Sequence, residues 1–214
     1  MKSSISLVTV VLPFSLFLFS NSLQAMDIYV AGRVGLAMPQ DSEVTTSALP
    51  ATKINLGFND KIIGAGAVGL REGSYRSELE IGYQENDLKS ISASGTTIIP
   101  ASVGLSGNAS ILTGLVNAYW DIDTGTRLRP YITGGVGFAR IKAKFTVTGV
   151  GGISTSDQDT VLAYQFGAGL GYDVTDKITI EAGYRYLTGQ NAEFGTDKVS
   201  FASHNFTAGV RIQF

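Results

Sequence analysis

The last eleven residues of the chain read His204-Asn-Phe-Thr-Ala-Gly-Val-Arg-Ile-Gln-Phe214, and their two faces are unlike. Side chains alternate across a strand, so Phe206, Ala208, Val210, Ile212 and Phe214 point one way while Asn205, Thr207, Arg211 and Gln213 point the other. On a soluble sheet, an edge strand with that apolar face would template pairing with other chains. A sheet closed on itself in lipid has no edge, and it needs its apolar face outside. The stretch predicts the final strand of a transmembrane barrel.

The same alternation recurs upstream at residues 27–38, 61–71, 75–86, 109–122, 128–141, 161–174 and 177–187, which with 204–214 gives eight strands. The first sets Ile28, Val30, Val34, Leu36 and Met38 against Tyr29, Ala31, Arg33 and Ala37. The glycine-rich second is placed with Val68 and Leu70 outward. The third sets Tyr75, Ser77, Leu79, Ile81 and Tyr83 against Arg76, Glu78, Glu80 and Gln84. In the fourth, Leu112, Val116, Ala118 and Trp120 face out, with Thr113, Asn117, Tyr119 and Asp121 inside. The fifth shows Pro130, Ile132, Val136 and Phe138 outward, with Tyr131, Thr133 and glycines inward. The sixth and seventh repeat the scheme, with Gln165 and Asp173, then Glu181 and Arg185, on the inner side.

Short links at 72–74, 123–127 and 175–176 alternate with long ones at about 39–60, 87–108, 142–160 and 188–203. In outer-membrane barrels short turns face the periplasm and long loops face outside. The predicted fold class is therefore all-β: an eight-stranded antiparallel up-and-down transmembrane β-barrel with both ends at the periplasmic side. Each strand is close to the roughly 9–11 residues a tilted strand needs to cross the hydrocarbon.

Export is written at the other end. Lys2, the apolar run from Ile5 to Phe19 and the small residue Ala25 predict a signal peptide over residues 1–25, leaving an outer-membrane β-barrel domain at 26–214. Across 214 residues, 26 glycines, 44 % hydrophobic and only 16 % charged side chains are unusual for a soluble domain. No later segment is long and apolar enough for a membrane helix, as expected where lipid-facing residues come only at every second position. Without its leader the chain carries 15 basic and 18 acidic residues, net −3, which argues against nucleic-acid binding. There is no cysteine, so neither disulfides nor thiolate metal sites are available.

The segments Asn117-Ala-Tyr-Trp-Asp121, Arg129-Pro-Tyr-Ile-Thr-Gly-Gly-Val-Gly-Phe138 and Tyr164-Gln-Phe-Gly-Ala-Gly-Leu-Gly-Tyr172, with the final strand, resemble the small outer-membrane barrels of the OmpA-like and opacity-type surface antigen family. That resemblance implies a porin-like barrel in the outer membrane of a Gram-negative bacterium, serving as a surface antigen or adhesin. The aromatic last residue resembles the terminal signal read by the barrel-assembly machinery, here Phe206, Val210, Ile212 and Phe214. No peptidoglycan-binding domain follows the eighth strand, so a direct cell-wall tether is not expected.

A polar lumen is expected to hold Arg33, Arg185 and Arg211 with Glu78, Glu80 and Glu181, three charges of each sign. Depth along the strands pairs Glu181 with Arg211 and brings Arg33 and Arg185 within reach of Glu78 and Glu80. An eight-stranded barrel is only just wide enough for its own side chains, so a plug of ion pairs is favoured over a narrow passive pore. Gly64-Ala-Gly-Ala-Val-Gly69 matches a dinucleotide fingerprint but is followed by a strand, not a helix. Asp121-Ile-Asp-Thr-Gly125 lacks the remaining ligands of a calcium loop and reads as a turn; no cofactor or metal is expected. His204, the only histidine, has Ser200, Ser203 and Asp197 nearby, yet Ser203 is on the opposite phase. A rim lipid hydrolase is thus the weakest alternative, and the chain is read as a non-enzyme.

Function is then left to the loops. Residues 90–120 carry no charge, and Ile91, Ile98, Ile99, Val103 and Leu105 are candidate contacts on a rigid scaffold. The bland reading is that they extend the strands above the membrane. The expected partners are outer-membrane lipid, the assembly machinery and, through the extracellular loops, host or environmental surfaces.

Overall fold

The computed structural model describes residues 26–40, 42–45, 54–58, 61–93, 96–100, 105–147, 153–190, 192–194, 197–199 and 201–214. The leader at 1–25 lies outside these residues. The strands are β1 (Asp27–Pro39), β2 (Ser42–Thr45), β3 (Ile54–Phe58), β4 (Lys61–Glu72), β5 (Tyr75–Ala93), β6 (Thr96–Pro100), β7 (Leu105–Asp121), β8 (Leu128–Val147), β9 (Ile153–Asp173), β10 (Ile178–Gly189), β11 (Ala192–Phe194), β12 (Asp197–Val199) and β13 (Ala202–Gln213).

Eight of them close a ring in the order β1, β4, β5, β7, β8, β9, β10, β13, each antiparallel to its neighbours, with β13 returning to β1. The seam runs from Tyr29 opposite Gln213 to Pro39 opposite Ser203, and the Phe214 amide still donates to the Ile28 carbonyl at 2.9 Å. The ring is staggered. Paired positions Tyr29, Gly69, Glu78, Asn117, Gly135, Gln165, Leu187 and Ser203 lead around it to Pro39, ten residues along β1 from the start. Such a shear tilts the strands by about 35–45° and sets a narrow bore.

The periplasmic turns are tight. Gly73 and Gly125 sit there with φ of 57° and 68°, a left-handed backbone in which a Cβ is strained. Asp123 and Thr126 side chains cap the second turn, and Thr175 caps the third by accepting from the Lys177 and Ile178 amides.

The lipid-facing phase agrees with the alternation on all eight strands: Ile28, Val34, Leu79, Ile132, Phe166, Ile180 and Val210 are exposed, whereas Tyr29, Arg33, Glu78, Tyr131, Gln165, Glu181 and Arg211 are buried. The strand ends agree closely at the periplasmic side. Outside the membrane they do not. The sequence places residues 87–93, 105–108, 142–147 and 153–160 in loops, but β5, β7, β8 and β9 continue through them, with Val147 still opposite Ile153. Above the hydrocarbon both faces of a ribbon meet water, so the apolar contrast that marks a strand fades while the ladder continues.

The loops also pair with one another. β11, β12, β2 and β3 form an antiparallel run that joins β5 through Ile54 opposite Ala93, and β6 folds back on β5. Among the described residues, the connections after β1, β5 and β10 all contribute strands to this run.

Candidate functional site

Alternation aims eight charged side chains into the periplasmic half of the bore. Arg33 on β1 grips Glu78 on β5 through two parallel bonds of 2.8 Å, and reaches Glu80 at 3.1 Å and Glu181 at 3.2 Å. Arg185 on β10 donates to Glu80 at 2.6 Å and to the Tyr119 hydroxyl at 2.8 Å. Tyr119 and Tyr29 hydroxyls donate in turn to Glu78, at 2.9 and 3.1 Å. Arg211 approaches Glu181 at 3.1 Å.

Two members of this layer were absent from the three-and-three charge count. Arg76 donates to Asp121 through a fork of 2.9 and 2.8 Å and lies 3.4 Å from Glu181, making four cations and four anions. The alternation had put both residues inside. In sequence Asp121 reads as part of a turn, and Arg76 comes two residues after another; each stands just within the barrel mouth, where turn chemistry masks lumen chemistry. All eight are nearly water-free, from 2 to 5 % exposed.

Aromatic rings complete the packing. The Arg76 guanidinium lies 4.2 Å from the Tyr119 ring centre, and Tyr119 meets Tyr131 edge-on at 5.7 Å. Room for them comes from inward glycines: a Cβ on Gly69 would strike the Tyr29 ring, and one on Gly169 the Tyr131 ring. Gln165 bridges outward from this layer by donating to Asn117 at 2.7 Å.

The extracellular half of the bore is different: the expected polar lumen gives way there to an apolar layer. Ile111, Leu115, Ala139, Ile141, Val161, Ala163 and Leu187 point inward and cluster with Phe201. They keep the inward phase of Thr113 and Gln165, but in sequence an inward isoleucine looks the same as an outward one. Between the layers a cavity of about 20 Å³, touched by Arg33, Glu80, Gln165 and Arg185 on one hand and Leu115 and Leu187 on the other, has room for about one water.

His204 sits on the lipid-facing phase near the outer rim. Tyr184 Oη is 2.7 Å from its Nδ1 and Gln40 Nε2 is 2.8 Å from its Nε2, so both ring nitrogens are engaged. Ser203 is buried on the other face and donates to Asn205 at 2.8 Å, away from the imidazole. Ser200 and the Asp197 side chain lie outside the described residues, as does Val103. The backbones of Ile91, Ile98, Ile99 and Leu105 fall in β5, β6 and β7, but their side chains also lie outside what is described. Among the described residues no group of acidic and histidine side chains is arranged to hold a metal. At the seam, Phe206, Val210, Ile212 and Phe214 all face outward and are exposed.

A closed ring of eight antiparallel strands, apolar toward lipid and ion-paired within, defines a small outer-membrane barrel protein. The chain belongs to the outer membrane protein beta-barrel domain family, which it matches over residues 14–214. Its place is the bacterial outer membrane. Outer membrane protein PagN of Salmonella typhimurium is 30 % identical over 130 residues, covering 54 % of this chain and 54 % of that protein, about half of each. A putative adhesin of Rickettsia rickettsii is 25 % identical over 175 residues, 75 % of this chain and 78 % of its own length. Among solved structures, Neisserial surface protein A superposes with a TM-score of 0.54 at 18 % identity, covering 89 % of this chain and all of that one. The Escherichia coli outer membrane protease OmpT gives 0.59 at 12 % identity, covering 88 and 97 %. At such identities the likeness is one of fold alone.

Proposed function

We propose that this protein is a non-enzymatic surface barrel whose extracellular sheet contacts host or environmental surfaces while its filled body holds that sheet rigid and contributes to envelope integrity. The observation that carries the reading is the extension of β5, β7, β8 and β9 beyond the membrane, with β11, β12, β2 and β3 joined to β5. A platform of paired strands presents its side chains at little ordering cost, which is what a binding surface on a scaffold needs. The relatives named as a putative adhesin and as outer membrane protein PagN support the same reading. Against catalysis stand the two engaged nitrogens of His204 and the inward Ser203. The outward Phe206, Val210, Ile212 and Phe214 row supports recognition of the last strand by the barrel-assembly machinery.

Replacing residues 90–105 by a short Gly-Ser turn tests the reading. The barrel should still fold, judged by its heat-dependent migration on gels, while attachment of expressing cells to host-cell monolayers should fall to background. Unchanged attachment by a folded, surface-displayed variant would overturn the assignment.

A further inference from the structure

The geometry points to a binding strip on the lipid-facing side of β8 for the phosphorylated headgroups of outer-leaflet glycolipid, formed by Arg140, Lys142 and Lys144. On this face β8 is apolar or small from Leu128 to Phe138, eleven residues that span ten steps of strand. At about 3.3 Å per residue and a tilt near 40°, that is a belt of about 25 Å, the full apolar height of such barrels. Arg140 is the next residue outward of the belt, and Lys142 and Lys144 follow on the same phase; all three are exposed. Their directly paired neighbours are uncharged and, apart from Leu112 opposite Arg140, carry hydrogen-bonding groups. Thr160 lies opposite Arg140, and Ser110 and Gln158 flank Lys142, with Gln158 accepting from Arg140 at 2.8 Å.

Among the residues whose side chains are described, these are the cations on the lipid-facing phase beyond the belt. Glu85, in the same cross-strand row beyond Ser110, accepts from the Tyr83 hydroxyl at 3.1 Å, and Asp87 stands in the row of Lys144 beyond Asn108, so the strip keeps a net charge of +1. The protein as a whole is acidic, so a basic ladder placed at one headgroup level is a local feature and not a reflection of composition. Cations held where acyl chains end meet lipid phosphates before any soluble polyanion, and an arginine offers them a planar fork. A sulfated polysaccharide would instead call for cations at the tips of the loops, reached from bulk water.

The test uses the processed barrel in phosphatidylcholine nanodiscs doped with bisphosphorylated lipid A, measuring lipid A retained per barrel after transfer to detergent. R140Q/K142Q/K144Q should reduce retention at least about tenfold, with the barrel intact in phosphatidylcholine alone. Dephosphorylated lipid A should be retained no better than phosphatidylcholine. Equal retention by the triple variant, or equal retention of dephosphorylated lipid A or of phosphatidylglycerol by the wild type, would overturn the proposal. So would loss of heparin-fragment binding in the triple variant with lipid A retention unchanged. Should the triple variant fail to fold, K142Q and K144Q, which stand above the belt, carry the same comparison singly, each expected to lower retention about fivefold.

Discussion

Glu78→Ala should lower the unfolding free energy of the refolded barrel by about 3–5 kcal/mol, read from urea titration in detergent micelles. Glu78 is 2 % exposed, takes both forks of Arg33 and accepts from Tyr29 and Tyr119. Its removal leaves three anions facing four cations in a layer that is almost wholly buried. Arg33→Met in the same background should recover part of the loss, because the uncompensated charge leaves with it. The double variant is therefore expected to cost less than the two single changes added together. Strict additivity would mean that Arg33 and Glu78 do not interact in solution as their geometry requires.

One residue along, the expected response inverts. Leu79 lies on the opposite face of β5, 53 % exposed and near the middle of the belt between Tyr75 and Tyr83. Leu79→Arg should destabilise by about 2–4 kcal/mol, since a cation at the hydrocarbon midplane has no partner and little water. In a soluble sheet the same change at an exposed position would stay within about 0.5 kcal/mol. Adjacent residues thus report opposite environments, and a register slip of one would exchange them. A neutral Leu79→Arg with a neutral Glu78→Ala would contradict the assignment of β5's faces.

The outer face was legible because lipid enforces a hydrophobic contrast at every second residue, so Phe206, Val210 and Leu79 could be phased without any partner strand in view. The inner charges were legible for the same reason, yet Arg76 and Asp121 escaped the count because their neighbours Gly73, Ser74, Asp123 and Gly125 advertise turns. The inward Ile111, Leu115 and Ile141 are placed in the bore only by sharing the phase of Thr113 and Tyr131, because their own apolar side chains look like lipid-facing ones. Strand ends above the membrane were illegible for a different reason. There the ladder of Lys144 opposite Ser156 or Phe145 opposite Thr155 is set by backbone pairing, with no apolar face required.

The two layers of the lumen have complementary consequences. Ion pairs with forked geometry fix the bore from β1 across to β10, and the apolar layer around Phe201 keeps that network from the extracellular solvent. Filling of this kind suits a scaffold, whose task is to hold an external sheet still, better than a conduit.

Planar-bilayer recording of the purified wild-type barrel tests this filling most directly. With Arg33, Arg76, Arg185 and Arg211 locked against four carboxylates beneath an apolar layer, insertion should produce no steady conductance above the bare bilayer. Large, long-lived ohmic channels from the folded protein would contradict it.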